Sequence, residues 1–262
     1  MPSTPLPLVE KSCGIGLEEA LPAVLARRVS LDGMLTFCGL YRRIAIAKLL
    51  MSGVPDDFFE DLSRSARAFL YFLEGKDAAA KATGKADPFF DAVACGDMEA
   101  AAGIAKHARA TWNEAKEYEE DFLYLWFLMK RFAARTSAAD LDAILRRWAD
   151  VIQGEEDSRL ELCRAFQSRD AGAAGKALEA IAAGRAQETR KLLADERVPP
   201  DDVPTTAKVS VELLALLRLA ELAGLATEAH LPLAPSVARQ LDRAKVPPPD
   251  SWRDVPPYRE LA

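Results

Sequence analysis

The sequence predicts an all-α protein, a multi-helix bundle of stacked antiparallel helical hairpins with extended proline-rich termini. Three observations carry this reading. Ala, Leu, Arg and Glu dominate while runs of alternating β-branched residues are missing. Nearly every long segment repeats its apolar residues at helical period. Eight consecutive apolar or aromatic residues, Phe122 to Met129, follow Glu119-Glu120-Asp121 and stop at Lys130-Arg131. A helix apolar all the way round must be buried in a core or a membrane, and eight residues fall far short of the roughly 20 that cross a bilayer.

Taken in order, residues 1–16 read as an extended N-terminal segment, because prolines crowd the first eight positions. One helix is expected over about 17–29 and another over 31–50, the latter ending before Gly53 and Pro55. The next begins near Asp56, with Phe59, Leu62, Ala66, Phe69, Leu70 and Leu73 on one side. Residues 75–86, low in complexity, read as a mobile surface linker and a candidate subdomain boundary. Phe89 to Cys95 is followed by Gly96-Asp97, with Asp97 as the N-cap of an Ala-rich helix to about Arg109. Glu117 to Phe132 holds the central helix. Leu160 to Ser168 is followed by Asp170, a second cap, and an Ala-rich helix to about Ala183. Shifting by 73 residues superposes Ala92 on Ala165, Asp97 on Asp170, Ala100 on Ala173 and Ala101 on Ala174, a faint internal repeat. A buried helix is expected from Thr206 to Ala223, stopped by Gly224 with Leu225 folding back. A short helix follows near Ser236 to Arg243. The helical body thus spans 17–245, and residues 246–262, with five prolines, form a tail lying across it.

Composition narrows the function. A net charge of −6 argues against nucleic acid as a direct partner and favours a basic protein partner. No secretory signal is visible at the N-terminus. The most apolar stretch, Leu31 to Met51, carries Asp32, Arg42, Arg43 and Lys48, which argues against membrane insertion. Cys13, Cys38, Cys95 and Cys163 are far apart without CxxC pairing, as in a reduced, cytoplasmic protein.

Enzymatic signals are sparse. His107 and His230 stand alone, too few for a His-based metal site or a Ser/His/Asp triad. No nucleotide-binding glycine motif occurs, so no cofactor or metal is expected. The sharpest catalytic alternative is Asp56, Asp57 and Glu60, which resembles the aspartate-rich motif that holds Mg²⁺ in terpenoid synthases. Its partner motif would be Asn113, Glu117 and Asp121. The simpler reading is a helix start, where acids complement the dipole. A helical-repeat interaction scaffold is a third class. The strongest local field is the acidic run Glu114, Glu117, Glu119, Glu120 and Asp121, diluted only by Lys116.

That acidic-to-aromatic element, Glu117-Tyr118-Glu119-Glu120-Asp121-Phe122, resembles the immunity protein 49 family of bacterial polymorphic toxin systems. Phe90-Asp91-Ala92-Val93 with Gly96-Asp97 is similar as well, as are Val211 to Ala220, the Gly224-Leu225 stop and Leu231-Pro232. The resemblance covers roughly Leu31 to Leu241, and Glu120 stands where the family element is expected to carry aspartate. It implies an all-helical, non-catalytic protein that binds a cognate toxin domain and blocks it. Electrostatics then nominates Glu117, Glu119, Glu120 and Asp121 as partner contacts, with Glu155, Glu156 and Asp157 behind them.

Overall fold

A computed structural model describes residues 3–134, 136–227 and 230–258. Among them are ten α-helices and no strand. They are α1 (Leu6–Leu25), α2 (Leu31–Ser52), α3 (Asp56–Glu74), α4 (Pro88–Ala94), α5 (Met98–His107), α6 (Glu119–Phe132), α7 (Ala138–Val151), α8 (Ser158–Ser168), α9 (Ala171–Ala194) and α10 (Val211–Leu222).

The N-terminal segment corrects the expectation of extended chain to residue 16. Helix α1 begins at Leu6, because proline is tolerated in a first turn and Val9, Cys13 and Leu17 recur at one helical spacing. Helix α2 starts at Ser30, whose side chain accepts from the Gly33 amide at 3.1 Å, and stops at Gly53 in the left-handed region. It packs on both α1 and α3, which explains buried residues on nearly all its sides.

Seven of the eight residues from Phe122 to Met129 are buried. The exception, Trp126, is partly exposed beneath the ammonium of Lys130, 4.2 Å from its ring. The central helix is therefore core, as its sequence requires. It packs against α7, α8 and the turn at Thr83–Lys85. Helix α7 has no counterpart among the elements read from sequence, although Ser137 caps it and Leu141, Leu145 and Trp148 recur on its buried side.

Residues 75–86 are not a mobile linker. They form two short 3₁₀ turns, Ala78–Ala80 and Thr83–Lys85, with Ala82, Thr83 and Ala86 buried. Gly84 lies so close to α6 that a Cβ would stand 2.7 Å from the Asp121 carbonyl carbon and the Phe122 nitrogen. Only glycine permits that approach.

The two halves of the internal repeat are the hairpins α4–α5 and α8–α9. Asp97 accepts from the Ala100 amide at 3.0 Å and Asp170 from the Ala173 amide at 2.9 Å. Ala92 and Ala101 are buried at the first pair of helices, and Ala165 and Ala174 at the second. Helix α10 starts at Ser210 rather than Thr206, because the Ser210 hydroxyl accepts from Leu213 while residues 201–208 turn on themselves. Its end is as expected: Gly224 has φ 76°, and the Leu225 amide donates back to the Ala220 carbonyl at 2.9 Å. Beyond it, 236–243 forms two 3₁₀ turns instead of one helix.

The tail crosses back over the bundle. Trp252 is buried against Phe37 and Tyr71, and the Tyr41 hydroxyl donates to its carbonyl at 2.7 Å. Tyr258 then reaches Gly14 and Glu18 of α1. No helix is long and apolar enough to cross a membrane among the described residues.

Candidate functional site: an acidic groove and a charged cleft sharing Asp121

The acidic run opens α6, where exposed helical N–H groups and the dipole favour carboxylates. The structure separates its members by role. Glu117 is 8% exposed, and its two oxygens accept from the backbone N–H groups of Gly84 and Asn113. Its carboxylate is committed inside the molecule, which leaves it little to offer a partner. Asp157 likewise caps α8 through the Arg159 amide at 2.8 Å and pairs with the Arg159 guanidinium at 3.2 Å. Asp121 meets the same guanidinium at 2.9 Å, and Glu119 pairs with Arg147 at 2.6 Å. Glu120 is partly exposed, while Glu155 and Glu156 face solvent beside a separate groove between α7, α8 and α9. The seven acids divide between two grooves, with Arg159 joining Asp121 of one to Asp157 of the other.

What the run does build is a concavity of about 660 Å³, lined by Lys85, Trp112, Glu114 to Tyr118, and Glu119 to Asp121. Tyr118 stands at its edge, 74% exposed, one residue ahead of α6. Sequence reading passed over it, since an aromatic ahead of an apolar helix reads as part of the core. The indole N–H of Trp112 donates to the Glu117 carbonyl at 3.0 Å, which fixes the wall of the groove.

On the other side of Asp121 lies a second cleft of about 570 Å³, bounded by α4, α6, α9 and α10. Arg42, Arg159 and Arg185 enter it from three elements. Each is matched locally: Arg42 to Asp91 at 2.7 and 3.0 Å, Arg159 to Asp121 and Asp157, and Arg185 to Glu212 at 2.5 Å. Tyr124 donates to the other Glu212 oxygen at 3.1 Å, and the Arg159 guanidinium lies 5.2 Å from the Tyr124 ring centroid. No sequence signal marked these arginines, because isolated helical arginines read as solvated faces.

The aspartate-rich segment is tied up in ion pairs. Asp56 meets Arg243 at 2.8 Å, Glu60 pairs with Arg64, and buried Asp61 accepts from Lys48 at 2.9 Å and Arg64 at 2.7 Å. Asp57 is exposed. In the companion motif, the Asn113 amide donates to the Lys81 carbonyl at 2.8 Å and Glu117 is committed to backbone. Apart from exposed Asp57, these carboxylates are held in bonds within α3 or to neighbouring segments, and they do not converge on a shared point among the described residues. His107 lies 3.9 Å from Glu74, and His230 is exposed in another segment. All four cysteines are free and buried, and burial pushes their thiols up, Cys13 to about 11, so none is thiolate at neutral pH.

The other similar motifs are also structural. Asp91, fully buried, holds Arg42 of α2 and accepts from the Ser65 hydroxyl at 2.6 Å. Asp97 accepts from two of the Arg67 guanidinium nitrogens, both at 2.8 Å, and from the Ser63 hydroxyl at 2.7 Å. Thus Phe90-Asp91 and Gly96-Asp97 lock α4 and α5 to α2 and α3.

The profile of the family described as Immunity protein 49 matches residues 42–238, which takes in α3 to α10 and the second half of α2. No curated protein and no solved structure matches the chain. The chain belongs to the Immunity protein 49 family.

Proposed function

We propose that the protein binds a cognate bacterial toxin domain in the cytoplasm and neutralises it without catalysis, protecting the cell that makes both. The observation that carries this reading is Tyr118, 74% exposed at the rim of a groove rich in carboxylates. An exposed tyrosine supplies rigid, amphipathic contact area at low entropic cost and is a frequent binding hot spot. Glu114, Glu119, Glu120 and Asp121 around it supply a negative field that steers a basic surface. The pairs Glu119–Arg147 and Asp121–Arg159 hold two of those acids in place before any partner arrives. A basic, nuclease-like effector is the partner such a surface suits.

The test is growth rescue. The gene product encoded next to this chain is expressed alone and with it, and complex formation is checked by co-purification. Rescue with a stable complex is expected. A chain that neither rescues cells from, nor binds, any neighbouring product overturns the proposal.

A further inference from the structure

The cleft beyond Asp121 carries more charge than its internal pairs use. Its three arginines, Arg42, Arg159 and Arg185, are bonded to Asp91, to Asp121 and Asp157, and to Glu212 and Glu188. Asp87 lines the same cleft with Asp121, Glu188 and Glu212, and no cation lies within ion-pair distance of it among the described residues. Three arginines against four lining acids leave the cleft net negative, and Asp91 and Asp157 behind it add to the same sign. An anion would find every guanidinium already matched, so the unfilled valence is for a cation.

We propose that this cleft receives one lysine or arginine side chain of the toxin, with Asp87 as its counter-ion. The proposal rests on the toxin-binding reading and adds to it the chemistry of one anchor. Asp87 sits just ahead of α4, lines the cleft and is exposed to the water in it. The protein around the cleft displaces part of the bulk water near it and raises its carboxyl above the ordinary range, against the pull of Arg42. A carboxylate stripped of part of its hydration gains more from an arriving cation than one in bulk water. Phe90 and Tyr124, with ring centroids 6.0 Å apart, line the same space and give the aliphatic stem of such a side chain an apolar bed. Glu212 is the second acceptor, presently satisfied by Arg185 and Tyr124.

The experiment has two arms. In the first, the ¹⁵N-labelled full chain is titrated with N-acetyl-arginine amide, and separately with inorganic phosphate, by NMR. Saturable shifts at Asp87, Phe90 and Tyr124 are expected with the arginine amide only. Asp87→Asn should weaken that binding about tenfold, as loss of one charged hydrogen bond does. Arg185→Gln, which releases Glu212, should strengthen it. Absence of shifts at these residues overturns the proposal, as does a response to phosphate instead, or equal weakening by both variants. In the second arm the purified toxin replaces the probe. Asp87→Asn should raise its Kd about tenfold with the melting point unchanged. Unaltered toxin affinity overturns the anchor while the immunity function stands. A wild-type chain that ignores the toxin strikes the immunity function, and the arginine-amide titration still decides the cleft.

Discussion

The carboxylate of Glu117 accepts a hydrogen bond from the backbone N–H of Gly84, 33 positions earlier in the chain. Its other oxygen accepts from the Asn113 amide at 3.0 Å. One side chain thereby fastens the turn at Thr83–Lys85 to the loop that leads into α6. The most conspicuous acid of the run is a structural clasp, and the groove takes its shape from it.

Replacing Glu117 by alanine leaves two backbone N–H groups without an acceptor in a buried site. The expected cost is about 1–3 kcal/mol. In a chain of this size each kcal/mol lowers the melting point by about 2–4 °C. Thermal unfolding followed by circular dichroism checks it, and an unchanged melting point would contradict the clasp.

The same residue predicts a pH dependence. Burial raises the Glu117 carboxyl above its ordinary 4.5, outweighing the two N–H donors that favour the anion. Between 4.5 and the raised value the folded state binds more protons than the unfolded state. Its stabilising contribution is therefore complete below 4.5 and is lost as pH rises through the raised value. The stability of the wild type relative to Glu117→Gln should grow as pH falls from 7 towards 4.5. Urea unfolding of both proteins at several pH values measures this, and a difference that shrinks on acidification would refute it.

Asp97 and Arg67 form the most committed ion pair, 1% and 8% exposed, with Ser63 and the α5 amide on the same carboxylate. Asp97→Ala removes the cap and strands a buried guanidinium, leaving it Glu99 at the solvent edge. A loss of about 3–5 kcal/mol is expected, a large share of the roughly 5–15 kcal/mol a domain has. Adding Arg67→Met should cost less than the sum of the single changes by about 0.5–3 kcal/mol. Strict additivity in chemical denaturation would mean that the pair is not coupled.

The helices were legible wherever their signals are local. Asp97, Asp170 and Gly224 announce helix ends through their own hydrogen bonds or backbone angle, and Phe122 to Met129 announces burial by having no polar side. Signals that depend on distant packing misled. Residues 75–86 read as a linker because their composition is polar and small, yet their small residues are what let the turn seat on α6. Residues 6–16 read as extended because of prolines that a first turn accommodates. The acidic run was legible as a feature, but not its division of labour. Which carboxylate is a clasp, a pair or a free face depends on Gly84, Arg147 and Arg159, between 28 and 38 positions away from their partners. Pairings of that kind leave no periodic trace.

Tyr118 is expected to separate binding from stability. Its ring is exposed, so Tyr118→Ala should change the melting point by less than about 2 °C, as surface substitutions stay within about 0.5 kcal/mol. Its loss as an anchor should weaken toxin binding by at least about 2 kcal/mol, roughly thirtyfold in Kd, chiefly through faster dissociation. Surface plasmon resonance with immobilised toxin reads both rates. An unchanged dissociation rate would remove Tyr118 from the interface.

The central claim is inhibition by stoichiometric binding, and titration of toxin activity tests it most directly. Purified toxin domain is mixed with increasing amounts of this protein, and residual activity is followed over time. The account predicts a linear fall to an end point at a fixed molar ratio, independent of incubation time, with both proteins recovered covalently unchanged. Inactivation by substoichiometric amounts that deepens with time, or full toxin activity in saturating excess, would contradict it.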